Sequence, residues 1–293
     1  DAEKANDTQA MKNADILKNT GILKNEMEML KALKHPMLPE VYDYFQETKR
    51  YLVMEYIHGD SLHNFIEREG AVREEQACKW ALQLSSLFSY LHGQKPPVIY
   101  RDLKPDNIIV CPDGNLRVVD FGTALRQSYD KRNAENLAGT AGYAAPEQLY
   151  GKTGKEEWGH QNGNERRDTF GTGFGIGADE RSDIYTLGAT LYHMLTGHDP
   201  ARPPYGIRPV RSMKPELTAD MERIVGKCTE EAPEKRYQTV EALKADLEKR
   251  KFSGRKRRNP YPLWKLEKKI WLTEKKTTGF FTVGLLLCGL CAG

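Results

Sequence analysis

The sequence predicts an α+β fold, with short paired strands early and a mainly helical second half. Three observations carry this. Two β-like stretches, Glu40–Phe45 and Tyr51–Ile57, flank the polar turn Gln46–Arg50 and read as a hairpin. A long amphipathic helix is expected over Arg73–Leu91, with Ala77, Trp80, Ala81, Leu84, Leu87 and Leu91 on one face. Further helical stretches follow at Ser182–Thr196, Ala219–Cys228 and Thr239–Arg250.

Taken in order, residues 1–12 are polar and without period. From Ile16 to Leu33 the apolar positions Ile16, Leu17, Ile22, Leu23, Met27, Met29, Leu30 and Leu33 recur at helical spacing. His35-Pro36 ends that helix, because proline disfavours the helical region for the residue before it. After the hairpin, Gly59-Asp60 breaks the second strand and Ser61 is placed to cap a short helix from Leu62. Val98–Tyr100 and Ile108–Val110 are apolar runs around a polar loop. Pro112-Asp113-Gly114-Asn115 is a turn between Ile108–Cys111 and Leu116–Val119. Residues 151–180, rich in glycine and charge and without period, read as an inserted loop.

Apolar and charged fractions of 39% and 29% are those of a globular protein. The five cysteines show no CxxC spacing and no HExxH is present, which argues against a dedicated zinc site; reduced thiols are expected. The net charge of +3 hides an asymmetry. Residues 249–276 carry twelve Lys/Arg against two Glu, leaving the remainder at −7. An acidic domain with a basic extension is not expected to bind nucleic acid through the domain itself.

The chemistry concentrates in three ordered motifs. Tyr100-Arg101-Asp102-Leu103-Lys104-Pro105-Asp106-Asn107 is followed thirteen residues later by Asp120-Phe121-Gly122, and then by Ala145-Pro146-Glu147. In order and spacing these resemble the catalytic loop, DFG and APE motifs of the protein kinases. The resemblance covers about residues 14–250, and the stretch 179–192 is similar to bacterial membrane-anchored Ser/Thr kinases. It implies a bilobal fold, with a small β lobe, here incomplete, and a larger helical lobe. It also implies ATP and Mg2+ as cofactors and Ser/Thr-bearing proteins as substrates, with autophosphorylation possible.

By the same resemblance, Asp102 accepts the proton of the substrate hydroxyl and Lys104 contacts the γ-phosphate, a lysine there being the Ser/Thr-kinase pattern. Asn107 and Asp120 hold the metal, hard cations suiting oxygen ligands. Tyr100 stands where the family more often has His. It is expected to fill an apolar column beneath Phe121 together with Leu30. Thr140, in Gly139-Thr140-Ala141-Gly142-Tyr143, matches the substrate-docking segment and is expected near Asp102 and Lys104. Asp183 matches the helix aspartate that anchors the catalytic loop through its backbone, and Arg236 the partner of Glu147. Ser128, Tyr129 and Thr140 are candidate phosphorylation sites that could pair with Arg101; unmodified loop hydroxyls are the equal alternative.

On the nucleotide side, Glu26 lies ten residues before Pro36, where the family places the glutamate that pairs with the ATP-binding lysine. The other reading is a solvated helix glutamate like Glu28. Val53-Met54-Glu55-Tyr56-Ile57 reads as the hinge, with Met54 as gatekeeper, the backbone of Glu55 and Ile57 on adenine, and Ile109 beneath the ring. The glycine-rich loop and the lysine-bearing strand are not found before Glu26; Lys4 and Lys12 sit in no β-like run. Gly171–Gly177 is glycine-rich but follows no strand, and reads as linker. The chain is therefore expected to be N-terminally truncated. An upstream extension is expected to turn over ATP faster than these 293 residues.

The domains expected are a kinase domain over 1–250, a basic juxtamembrane linker over 251–278, and a partial transmembrane helix over 279–293. That last run has 15 residues without a charge, where a span needs about 20. With Arg255–Arg258 before it, the kinase domain is expected on the cytoplasmic side of the cell membrane. A nuclear-localisation-like or RNA-binding patch is the alternative for the basic stretch. The alternative for the whole is a pseudokinase-like binding or scaffolding module, against which stand the intact Asp102, Asn107 and Asp120.

Overall fold

The structure, a computed structural model, describes residues 27–46, 50–126, 139–149 and 178–249. The chain divides into two compact units, passing between them at 65/66, 104/105 and 124/125 among the described residues. Among the described residues, one unit contains 27–46, 50–65 and 105–124; the other contains 66–104, 125–126, 139–149 and 178–249.

In the first unit, residues 27–32 are helical (α1) and bury Met29 and Leu30. The helix ends just before His35-Pro36, and His35 Nδ1 accepts from Met37 N at 3.2 Å. Strands β1 (Val41–Gln46) and β2 (Arg50–Met54) form an antiparallel hairpin in which Val41 faces Met54 and Phe45 faces Tyr51. The second strand is shorter than the expected Tyr51–Ile57. Its last ladder bond runs from Glu55 N to Glu40 O at 2.7 Å, and β1 offers no partner beyond its own start. The chain instead crosses to a second sheet. There Asp60–Ser61 (β3) pairs with β5 (Ile108–Val110), and β5 pairs with β6 (Leu116–Val118).

Gly59 permits that crossing. It lies at φ 153°, and a Cβ there would stand 2.5 Å from Val110 O and 2.6 Å from Ile109 Cγ2. The β5–β6 turn is fastened by Asn115 N donating to Asp113 Oδ1 at 2.9 Å. Ser61 caps α2 (Leu62–Glu69), its hydroxyl accepting from Asn64 N at 3.1 Å.

The second unit is helical. α3 (Glu74–His92) buries Ala77, Trp80, Ala81, Leu84, Leu87 and Leu91, the face its spacing predicts, and adds Cys78, Ser85 and Phe88. It packs on α5 (Glu180–Thr196) and on α8 (Val240–Lys249). α5 is buried along nearly its whole length. It starts with a capping box between Asp179 and Ser182. It meets α7 (Ala219–Cys228) at Gly188, where a Cβ would come within 2.4 Å of Cys228 Cβ. A glycine in mid-helix costs about 1 kcal/mol against alanine, and here it lets two helices touch. Strands β4 (Val98–Ile99) and β7 (Leu125–Arg126) form a small antiparallel pair, β7 having no expectation from the sequence. Short helices α4 (Pro146–Leu149) and α6 (Val210–Met213) were likewise not expected.

Among the described residues, Cys78, Cys111 and Cys228 are free thiols, and no helix is long and apolar enough to cross a membrane. Most of the helix expected from Ile16, the loop 151–180 up to residue 177, the glycine-rich 171–177, the basic stretch and the apolar 279–293 lie outside the described residues.

Candidate active site

The loop 100–104 has no regular secondary structure, so side chains must satisfy its backbone. Asp183, on the first turns of α5 and fully buried, takes two of these groups. Its Oδ1 accepts from Arg101 N at 2.8 Å, and its Oδ2 from Tyr100 N at 3.0 Å. His92, at the end of α3, places Nε2 2.8 Å from the same Oδ2. A buried carboxylate accepts and does not donate when ionised, so the His92 contact carries a hydrogen on Nε2. Further along α5, the Thr190 hydroxyl donates to Leu103 O at 3.2 Å. Gln148 Nε2 donates to Arg101 O at 2.8 Å, while its Oε1 accepts from Ala145 N at 3.0 Å.

Arg101 is thus held on both its N–H and its carbonyl, and it lies at φ 72°. A non-glycine residue in this left-handed region is strained by about 1–3 kcal/mol, which the bonds to Asp183 and Gln148 oppose. Burial pushes its guanidinium below the ordinary value, the Asp183 charge opposing. Tyr100 is fully buried, its ring edge-on to Phe88 at 6.1 Å. Leu30 and Phe121, the other residues of the expected column, are buried as well.

This anchoring sets out Asp102, 8% exposed, and Lys104. Thr140 closes the group: its hydroxyl donates to Asp102 Oδ1 at 2.6 Å and accepts from Lys104 Nζ at 2.7 Å. Lys104 Nζ is also 3.2 Å from Asp102 Oδ2. The Thr140 hydroxyl is therefore occupied on both its donor and acceptor sides. Ser128 and Tyr129 lie outside the described residues.

Glu147 and Arg236 form a bidentate pair, Nη1 to Oε1 at 2.7 Å and Nη2 to Oε2 at 2.8 Å. Arg236 is 2% exposed, and its remaining hydrogens go to backbone carbonyls: Nε to Glu230, Nη1 to Arg181 and Nη2 to Glu231. All five guanidinium donors are used. Ser182 donates to Glu147 Oε1 at 2.7 Å, joining the pair to the start of α5.

On the first unit, Asn107 ends a 3-10 turn, Pro105–Asn107, and is 6% exposed. Its carbonyl accepts from Val119 N at 3.0 Å, which brings it beside the residue preceding Asp120. Asp120 is exposed, lies at φ 66°, and accepts from Gly122 N at 3.1 Å. One carboxylate and one carboxamide are oxygen donors of the kind a small hard cation takes, so these residues fit magnesium.

Met54, Ile57 and Ile109 are half-buried. Glu55 has its N–H committed to Glu40 O, and its carboxylate accepts from Arg117 Nη2 at 2.5 Å and from Glu40 N at 3.2 Å. Burial raises the Glu55 pKa, but the Arg117 and Glu40 hydrogen bonds and the guanidinium charge leave it below the usual carboxylate range. Arg117 Nη2 donates in addition to Leu38 O at 2.9 Å. Glu26 lies outside the described residues.

The sequence reading missed His92, Gln148, Ser182, Thr190 and Arg117. Gln148, Ser182 and Thr190 are buried polar residues on helices and Arg117 lies on the short strand β6; none carries a local pattern that marks it.

A loop held through Tyr100 N, Arg101 N, Arg101 O and Leu103 O presents a carboxylate and a lysine bridged by a threonine. The family model for the protein kinase domain matches residues 2–247, and the chain belongs to that family. It is 30% identical over 238 residues to the serine/threonine-protein kinase cds1 of Schizosaccharomyces pombe, covering 76% of this chain and 47% of that protein. It is 30% identical over 244 residues to the serine/threonine-protein kinase PknB of Mycobacterium tuberculosis, covering 76% and 35%. To PknB of Mycobacterium leprae it is 28% identical over 242 residues, with the same coverage of 76% and 35%. The chain thus spans from about a third to about half of the length of these relatives.

Proposed function

We propose that the protein transfers the γ-phosphate of ATP to serine or threonine hydroxyls of proteins, its own included. The observation that carries this is the closed group of Asp102, Lys104 and Thr140. Asp102 offers its carboxylate to the attacking hydroxyl, orients it, and takes its proton as the new oxygen–phosphorus bond forms and the bond from the γ-phosphorus to the bridging oxygen breaks, ADP leaving. Lys104 supplies a positive charge beside that carboxylate, where charge moves onto the transferred group. Asn107 and Asp120 would hold magnesium, and Met54, Glu55, Ile57 and Ile109 would receive the adenine. Bound ATP and magnesium supply the phosphoryl group and neutralise its charge. Tyr100, Phe121, Glu147, Asp183 and Arg236 are architectural in this reading.

The finer assignment is to the bacterial membrane-anchored type. The similarity of residues 179–192 supports it, as do the basic stretch 251–278 and the uncharged run 279–293, read as linker and membrane segment at the cell membrane. A kinase domain over 1–250 with an inserted loop at 151–180 completes that organisation.

The test is Asp102→Asn in the purified protein, followed by transfer of labelled phosphate to a protein substrate. Transfer is expected to fall about 10²–10⁴-fold, with an unchanged melting temperature. Undiminished transfer would refute the assignment and favour a binding module.

A further inference from the structure

α5 and the loop after it also grip the turn that carries Thr140. Within that turn, Tyr143 N and Ala144 N both donate to Thr140 O, at 3.0 and 2.9 Å. Tyr143 itself is 3% exposed. Its hydroxyl meets His193 Nδ1 at 2.6 Å and Asp199 Oδ1 at 3.0 Å. His193 is on α5 and 1% exposed; Asp199 follows the end of that helix. Asp199 Oδ1 also accepts from Ala201 N at 2.9 Å, and its Oδ2 lies 3.4 Å from Arg202 Nε.

A second contact ties the same two segments. Gly142 lies at φ 85°, and a Cβ there would be 2.6 Å from Ala201 N and 2.8 Å from Pro200 C. The turn therefore rests by its backbone on 200–201 and hangs by its phenol from His193 and Asp199.

The hydrogen placement follows from the chemistry of the groups. A phenol has one proton to give, and a carboxylate beside an arginine only accepts. The phenol therefore donates to Asp199, and the 2.6 Å bond to His193 is made by a hydrogen on Nδ1. The reverse assignment would set two acceptor oxygens 3.0 Å apart with no hydrogen between them.

The geometry points to His193 and Asp199 as positioning residues for the substrate-docking turn. They hold Tyr143, with His193 as an Nδ1–H donor, and through the turn they place the Thr140 hydroxyl that bridges Asp102 and Lys104. This rests on the kinase reading of the same site. It assigns peptide positioning to two residues whose link to Asp102 and Lys104 runs through Tyr143 and the turn.

The experiment compares His193→Asn, whose amide nitrogen sits where Nδ1 does, with His193→Leu, which has no donor. For His193→Leu the KM for a peptide substrate is expected to rise about tenfold, as for one lost hydrogen bond, with the KM for ATP unchanged. His193→Asn is expected to stay near the starting protein. Equal behaviour of the two variants would overturn the proposal, as would parallel changes in both KM values. Independently of activity, nitrogen NMR of histidine-labelled protein is expected to show His193 protonated on Nδ1. A bare Nδ1 would overturn the assignment even in a preparation that transfers no phosphate. Absence of transfer by the unsubstituted protein, with Nδ1 protonated, would count against the kinase reading alone.

Discussion

The loop bearing Asp102 and the segment bearing Met54–Ile57 are built in opposite ways. Around Asp102, buried side chains from distant parts of the chain bind the backbone directly: Asp183, Thr190 and Gln148 each take a group of residues 100–103. At Met54–Ile57, Met54 pairs with Val41 in the hairpin and Glu55 N donates to Glu40 O. The strands of the first unit are two to six residues long, and the residues expected to meet adenine are half-buried. Groups that must hold an attacking atom in line gain from a low-dielectric, fully bonded setting. A surface that receives a flat ring needs mainly shape and two backbone groups. The first region depends on single buried polar residues, the second on close backbone approach.

The sharpest way to break this comparison is Arg236→Ala. It leaves Glu147 without its bidentate partner and frees three backbone carbonyls, so the loss should be about 3–5 kcal/mol. Thermal denaturation of the variant should show a transition many degrees lower. An unchanged midpoint would mean that the helical unit does not depend on its buried polar residues.

Gly59→Ala tests the other region. The added Cβ would meet Val110 O and Ile109 Cγ2 at 2.5–2.6 Å, at a φ that side chains rarely adopt. A strain of about 1–3 kcal/mol is expected. It should appear as weaker binding of an ATP analogue by titration calorimetry, with a smaller fall in melting temperature than for Arg236→Ala. Full retention of nucleotide affinity would show that the crossing to β5 does not shape the hinge.

The smallest effect is expected from a polar pair outside both regions. Asp246 accepts from Arg223 at 2.6 and 3.0 Å and from the Tyr237 hydroxyl at 2.6 Å. The Arg223 hydrogen bonds, aided by Tyr237 and opposed by burial, lower its pKa to about 2. Being depressed in the folded state, it contributes stability that is present above the unfolded value near 4. That contribution is lost as pH falls towards about 2. Asp246→Asn should flatten the stability profile in that window and lower stability by a constant amount above pH 5, where the ionised pair is fully formed. Because the pair is partly exposed, the difference should be small and should shrink with salt.

Legibility in the sequence followed the range of the interactions. The Pro112–Asn115 turn was readable because its hydrogen bonds close within a few residues, and the buried face of α3 because its helical period is local even though its partners α5 and α8 are distant. The expected strand runs three residues past the end of β2, because apolar residues continue to Ile57 while the last bond to the partner segment is made at Glu40. β7 was missed because a two-residue strand has no period to detect. Thr140, Asp183 and Arg236 were named through motif resemblance. Their neighbours His92, Gln148, Ser182 and His193 carried no such mark, since a lone polar residue on a helix reads as core or surface.

By itself, the sequence determined the family-bearing motifs and their order: Tyr100–Asn107, Asp120-Phe121-Gly122 and Ala145-Pro146-Glu147. Each is contiguous, so its residue types and spacing survive without a fold to assemble them. The tertiary structure alone decided which buried groups complete them. His92 meets Asp183 across 91 residues, Tyr143 meets His193 across 50, and Gln148 meets Arg101 across 47. Hydrogen bonds at such separations leave no local pattern; they exist because helix packing buries polar groups that must then find partners.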